Sequence, residues 1–443
     1  MNIIRTTQTL NAQSKQLFRS YSSLTPSQHL PKKLNFPIKN KFHPVDSIKA
    51  VNKTRHSIFK ARKSLDRGLL KKAEDLLCHL KIDLASSLYA YPTYALGLVS
   101  LKKGYYSTSE DLLRDSLRRS EAIDNISKNV RKNMIESTND LGLALLRQGD
   151  YGKSFSNFSK AEEMVKEEML NDNIDLYFLL PAIYSNIGEY YREFHCYDTS
   201  IEFHARAHNC LLAFPEEQLN LARCLLNRGQ LYRISNQIEV GKEFLDAGQK
   251  KLISYLNSID SRPTPNHMDW SKFLMEYGHY YFSIGNIEKA RKKFTSAKDH
   301  FISMDNSETP DAIINMINLA IIEKNFPTLP SAQSDTYISE ILASIQSPLH
   351  KLKNQRFNLD SYEIDSAIQS LVNDPIQTTT TTTTTTTPNH NNNTKAASKN
   401  TNITFKPEIT FKPEPSKVKL VEPLAFQLMF IESQTQPSFG LKY

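Results

Sequence analysis

Apolar and polar positions along residues 55–346 follow a helical period, and small residues punctuate that period at regular intervals. Two segments show the pattern most clearly. Gly142 is followed by Leu145, Gly149, Tyr151, Ser154, Phe158 and Ala161, and Gly278 by Tyr281, Gly285, Ile287, Ala290, Phe294 and Ala297. Counted from the first Gly, the partners fall at +3, +7, +9, +12, +16 and +19. A pair of antiparallel helices explains each offset. The first Gly lets the second helix approach closely, and the residue at +3 lies on the same face one turn on. The Gly at +7 ends the first helix in the left-handed conformation. The residue at +9 opens the second helix. Small residues at +12 and +19 mark where the two helices touch, and the bulky residue at +16 fills the space between them.

Further copies keep the frame. Gly97 leads to Gly104, Tyr106, Ser109, Leu113 and Ser116; Gly188 to Tyr191, Tyr197, Ser200, His204 and Ala207; Gly229 to Tyr232, Ile238, Gly241, Leu245 and Gly248. A degenerate first copy carries Ala61, Gly68, Leu70, Ala73, Leu77 and Leu80, and a partial last one runs through Asn318-Leu319-Ala320 to a helix near Tyr337–Ile345. This frame resembles the tetratricopeptide repeat, in a long-helix form. The family's early Trp is missing, its closing Pro is mostly absent, and the units are spaced 36 to 49 residues apart. The resemblance implies an all-α, right-handed α-solenoid of about six to seven helical hairpins. Each hairpin leaves an apolar face for its neighbour to cover, so the array is expected to behave as one elongated domain.

The resemblance also implies that first helices line a concave groove that binds protein segments. Positions expected there include Asn139, Asn186, Arg192, Arg223, Asn227, Arg233, Lys272 and His279. Four of these are cations in a body that is otherwise acidic. Either they await a partner's carboxylates through charge-assisted hydrogen bonds, or they pair with internal acids such as Glu189, Glu193 and Glu276. Asn186, Arg223 and Asn227 match part of the family's clamp for chaperone tails. Asn139 and Leu143 stand where that clamp wants a Lys and an Asn, so no such clamp is expected.

Charge is unevenly placed. Residues 1–45 hold seven Lys/Arg and no acid, residues 46–72 nine against two, and residues 73–394 hold 32 against 41. An acidic body does not suit general nucleic-acid binding. Residues 1–21 have the composition of a mitochondrial transit peptide. Arg19-Ser20-Tyr21-Ser22 resembles the Arg-x-Tyr/Ser signal of matrix processing, with Ser22 as the new first residue. The alternative is a casually basic tail on a cytosolic protein. Residues 22–53 form a basic, Pro-containing linker. The basic stretch Lys49–Lys72 is either a contact for lipid head groups or rRNA or a solvated helix face. No apolar run is long enough to span a membrane, although peripheral contact with one stays open. Cys78, Cys196, Cys210 and Cys224 lack metal-ligand spacing and read as free thiols in a reducing compartment.

No catalytic motif is found. His204 and His208 have a metal-capable spacing, but His204 falls on a core-filling repeat position and no zincin Glu follows it. No enzyme, cofactor, metal or small-molecule substrate is expected. Beyond the solenoid (54–346) lie a terminal helix (347–376), a Thr/Asn-rich tract (377–402) and a tail (403–443) with a tandem Ile-Thr-Phe-Lys-Pro-Glu. The tail is either a linear motif, docking on a partner or back into the repeat groove, or a product of slippage followed by the apolar run Leu424–Ile431. The expectation is a mitochondrial matrix adaptor that binds protein segments and serves the assembly of a respiratory-chain complex. An organellar RNA- or ribosome-associated factor and a cytosolic scaffold are the alternatives.

Overall fold

The computed structural model describes residues 56–78, 90–123, 126–170, 174–259, 267–358, 363–373 and 418–424. Arg19, Tyr21, Ser22, the 22–53 linker, the 377–402 tract and the tandem hexapeptides lie outside them. Within them the chain is all-α. Helices pair in seven hairpins: α1 (56–66) with α2 (Leu70–Cys78), α3 (Ala90–Lys103) with α4 (Tyr106–Glu121), α5 (Lys128–Arg147) with α6 (Tyr151–Leu170), α7 (Leu180–Glu193) with α8 (Tyr197–Leu211), α9 (Gln218–Ile234) with α10 (Ile238–Ile259), α11 (Met268–Ser283) with α12 (Ile287–Ser303), and α13 (Pro310–Asn325) with α14 (Ser331–Asn354). A short α15 (Ile364–Asn373) packs on α13, and a 3₁₀ turn (Ile174–Leu179) leads into α7. Much of the extra repeat length goes into helices: α6 has 20 residues and α10 has 22.

The sequence frame has a steric basis at every hairpin that carries a leading glycine. A Cβ on Gly142 would lie 2.7 Å from the Phe158 ring, one on Gly188 2.8 Å from His204, one on Gly229 2.8 Å from Leu245 and one on Gly278 2.8 Å from Phe294. The residue at +16 thus fills the space that the missing side chain leaves. The +12 serines bind across the same contact, Ser109 Oγ donating to the Gly97 carbonyl at 2.9 Å and Ser200 Oγ to that of Gly188 at 2.7 Å. The turn position at +7 is left-handed throughout: Gly104, Gly149 and Gly285 have φ near +80°, and His195 and Asn236 hold the same place at φ 56° and 63°. Side-chain caps fix some helix starts, as Ser127 does for α5 and Asn286 for α12.

The array is not an open, elongated rod. Its superhelix is tight enough for distant hairpins to meet. The Met268 amide donates to the Arg67 carbonyl at 3.1 Å, and Asn306 donates to that of Gly68 at 2.8 Å, joining the first hairpin to the sixth. The Ser107 amide reaches Gln355 O at 3.1 Å, joining the second hairpin to the end of α14, and the Asn358 amide reaches Arg147 O at 2.9 Å. These contacts enclose the concave face. Residues 133–147 of α5 are buried on all sides, as are most of α9, α11 and α13.

Candidate functional site

The enclosed face is lined by polar side chains set by the repeat register. Two residues before the small residue of the third to seventh hairpins stand Asp140, Asn186, Asn227, Glu276 and, counted from Ala320, Asn318; all five are buried. Six residues before Gly229 and Gly278 stand Arg223 and Lys272, and nine before Gly278 and Ala320 stand Asp269 and Asp311. Each of these cations reaches the acid of the next hairpin: Arg223 meets Asp269 at 2.7 Å and Lys272 meets Asp311 at 3.3 Å. Arg147 of α5 likewise binds Glu189 at 2.7 Å and Glu193 at 3.1 Å, Arg192 approaches Glu189 at 3.2 Å, and Arg233 of α9 approaches Glu276 of α11 at 3.3 Å. Ion pairs therefore link α5 to α7, α9 to α11 and α11 to α13 in a broken ladder.

Burial makes these groups strongly interdependent. Burial would raise the Glu189 carboxyl, but Arg192 and Arg147 bring it down to about 2. Glu276 goes the other way. Burial outweighs the pull of Arg233 and raises it to about 7. Asp140, which accepts from Tyr94 Oη at 3.0 Å, is also raised to about 7 by burial. His279 is lowered by burial to about 3 and is neutral at neutral pH.

The chain's own tail occupies this interior. Residues 418–424 lie extended across α7, α9, α11 and α13. Val421 is held at both backbone groups by one side chain: its amide donates to Asn318 Oδ1 at 2.7 Å, and Asn318 Nδ2 donates to its carbonyl at 2.8 Å. The Glu422 carboxylate receives both terminal nitrogens of Arg233, at 3.0 and 2.6 Å. The Pro423 carbonyl accepts from Arg192 at 3.0 Å and from Gln230 at 2.9 Å. The Leu424 amide donates to Asp311 at 3.3 Å. At the entrance Lys419 pairs with Glu363, just before α15, at 2.5 Å. Leu420, Val421 and Leu424 are buried, and Pro423 contributes no donor that the interior would have to satisfy. Burial would raise Glu422, yet Arg233 foremost holds it at about 2. About a third of the Glu422 side chain, 35%, remains exposed, so the site opens to solvent there. A cavity of about 60 Å³ remains beside Leu424, lined by Lys102, Tyr106, Leu143, Met268 and Pro310 among others.

The groove positions expected from sequence divide into two groups. Arg192 and Arg233 bind the tail directly, His279 Nδ1 lies 3.9 Å from Glu422, and Lys272 shares Asp311 with Leu424. Arg223 is engaged by Asp269 and Asn220, Asn139 donates to Asp140, and Asn186 and Asn227 are buried within the same face. Asn318, read from sequence only as part of the last repeat copy, and Asp311 were not among the expected groove positions, although counting back from Ala320 places them in register with the other interior polar residues. His204 packs its ring on Gly188 beside Ser185, and burial lowers it to about 4. Among the described residues no His/Cys/Asp/Glu group is gathered for a metal, and no helix is long and apolar enough to cross a membrane.

No family model and no curated protein matches the chain. Solved structures with similar helical arrangements include NprR in complex with its cognate peptide NprX, at 16% identity over 84% of this chain and 100% of that one, TM-score 0.47. A Rap protein complexed with competence and sporulation factor is 11% identical over 72% of this chain and 82% of that one, TM-score 0.47. Aspartyl phosphate phosphatase F from Bacillus subtilis is 11% identical over 75% and 96%, TM-score 0.44. At such values the fold assignment rests on this chain's own helices and contacts.

Proposed function

We infer that this protein is a non-enzymatic, protein-binding repeat scaffold whose enclosed concave face holds an extended polypeptide segment. The observation that carries the reading is the seating of residues 418–424. Their backbone is gripped at Val421, Pro423 and Leu424, and their one carboxylate at Arg233. Backbone contacts give affinity for any extended chain, and the carboxylate contact adds selectivity. The composition of residues 1–21 supports a mitochondrial matrix setting, and with it service to the assembly of a respiratory-chain complex as an adaptor.

Capture of the full-length chain from mitochondria, with lysine cross-linking and mass spectrometry, tests the binding reading. Partner segments are expected to cross-link to Lys102 or Lys272, which border the tail site. Cross-links confined to the outward-facing second helices would sink it. The address has a separate test: residues 1–30 fused to a reporter should direct import and be cut after Tyr21, and a diffuse cytosolic signal would defeat it.

A further inference from the structure

We propose that the tail is a tethered competitor, and that the partner it yields to is an extended protein segment of the same chemistry. That chemistry is an apolar residue, a β-branched residue, a Glu followed by Pro, and then a large apolar residue. The proposal rests on the reading of the interior as a peptide site and deepens it by naming what the site selects.

Three observations make the tail exchangeable rather than structural. First, the interior keeps its charges balanced when the tail leaves. Arg233 retains Glu276 at 3.3 Å, Arg192 retains Glu189 at 3.2 Å and Lys272 retains Asp311 at 3.3 Å. A segment that was the sole partner of buried cations could not depart without leaving uncompensated charge; this one can. Second, the contacts are those a generic extended segment offers: one residue's N–H and C=O, two further backbone groups and one carboxylate. They come from α7, α9 and α13, with His279 of α11 3.9 Å from Glu422, and Glu422, at 35% exposure, marks a way in from solvent. Third, residues 418–424 leave space beside Leu424. The cavity of about 60 Å³ beside Leu424 is walled by Tyr106, Leu143, Met268 and Pro310 on one part and by the charged Lys102, Arg147, Asp269, Lys272 and Asp311 on the rest, so a longer or aromatic side chain would gain contact with the apolar part of the wall that Leu does not fill.

Tethering gives the tail an advantage. Residues 374–417 join α15 to Val418 covalently, so docking of the tail is intramolecular and its local concentration does not depend on that of the protein in solution. A free segment of equal chemistry loses to it. One that fills the Leu424 cavity better, or is itself presented at high local concentration, displaces it.

The test uses the full-length chain and a fluorescein-labelled peptide copying residues 417–425, with binding read by anisotropy. Wild type is compared with Glu422→Arg, which sets a cation against Arg233, and with Val421→Asp, which places a charge in a buried position. Circular dichroism checks that each variant keeps its helices. Both variants are expected to bind the peptide at least about tenfold more tightly than wild type. A peptide with Arg in place of its Glu should not bind, and one with Phe at the position of Leu424 should bind more tightly still. Equal, tight binding to all three chains would overturn the competitor proposal while leaving the interior a peptide site. Binding to none of them, with the variants folded and the Val421 and Leu424 positions exchanging freely with solvent, would overturn the proposal and the reading beneath it together.

Discussion

Each first helix carries two kinds of buried surface, and they are built on different principles. Toward its own second helix it presents a small residue, a glycine from α3 to α11, that a bulky residue covers as Phe158 covers Gly142. Toward the concave interior it presents charged and amide side chains paired with the next hairpin. The apolar contact is local, needs only the two helices that make it and repeats with little change. The polar contact is relayed from hairpin to hairpin, so its meaning depends on which groups the superhelix brings round. Close packing thus builds the unit, while the ion pairs set units against one another and leave backbone-binding groups that hold residues 418–424.

The sharpest way to break that distinction is to cut the ladder away from the tail. Arg223→Ala strands the Asp269 carboxylate in a buried site, where burial would raise it and Arg223 now holds it below its ordinary value. We expect a loss of about 3–5 kcal/mol, seen as a large fall in thermal midpoint. A change within 1 kcal/mol would mean the ladder is incidental. The packing side is tested by Gly142→Leu, which forces atoms into the Phe158 ring. Overpacking of this kind costs about 1–3 kcal/mol, partly offset by roughly 0.8 kcal/mol of better helix propensity. A stabilised variant would show that the frame does not depend on close approach.

Smaller changes separate tail docking from global stability. Asn318→Leu removes both bonds to the Val421 backbone and should weaken docking by about 1–2 kcal/mol, read as tail release without loss of helicity. Acidity should move the two processes in opposite directions. Glu422 ionises at about 2 when docked, against an ordinary 4.5, so its contribution to docking is complete above pH 4.5 and fades as pH falls toward 2. Glu276 is raised from 4.5 to about 7. Its contribution to folding is complete below pH 4.5 and is lost as pH rises through 7. The Val421 amide resonance and the thermal midpoint, followed over pH, report the two separately. Tail release on raising pH would contradict the assignment of Glu422.

The sequence showed the packing surface far better than the polar one, for a physical reason. Glycines, serines and bulky residues at fixed offsets act within one hairpin, so spacing alone reveals Gly142 with Phe158 or Gly278 with Phe294. The left-handed His195 and Asn236 follow from the same count. The cations Arg192, Arg223 and Arg233 were legible as residue types on an inward face. Whether they would meet Glu189, Asp269 and Glu276 or a guest depends on superhelical pitch, which local spacing does not specify. The closure of the first hairpin on the sixth, through Gly68 and Asn306, depends on the same pitch. Leu424 stood at the edge of a visible apolar run. The part of the tail that docks, Lys-Leu-Val-Glu-Pro-Leu, has no periodicity, and its complement is spread over four hairpins.

The most direct measurement is residue-resolved hydrogen exchange on the tail of the full-length chain at neutral pH. With the Val421 amide bonded to Asn318 and the Leu424 amide to Asp311, both should exchange far more slowly than in a free peptide. Protection should vanish on adding a saturating competitor peptide with Phe at the position of Leu424. Exchange at the free-peptide rate in the unliganded wild-type chain would contradict the account.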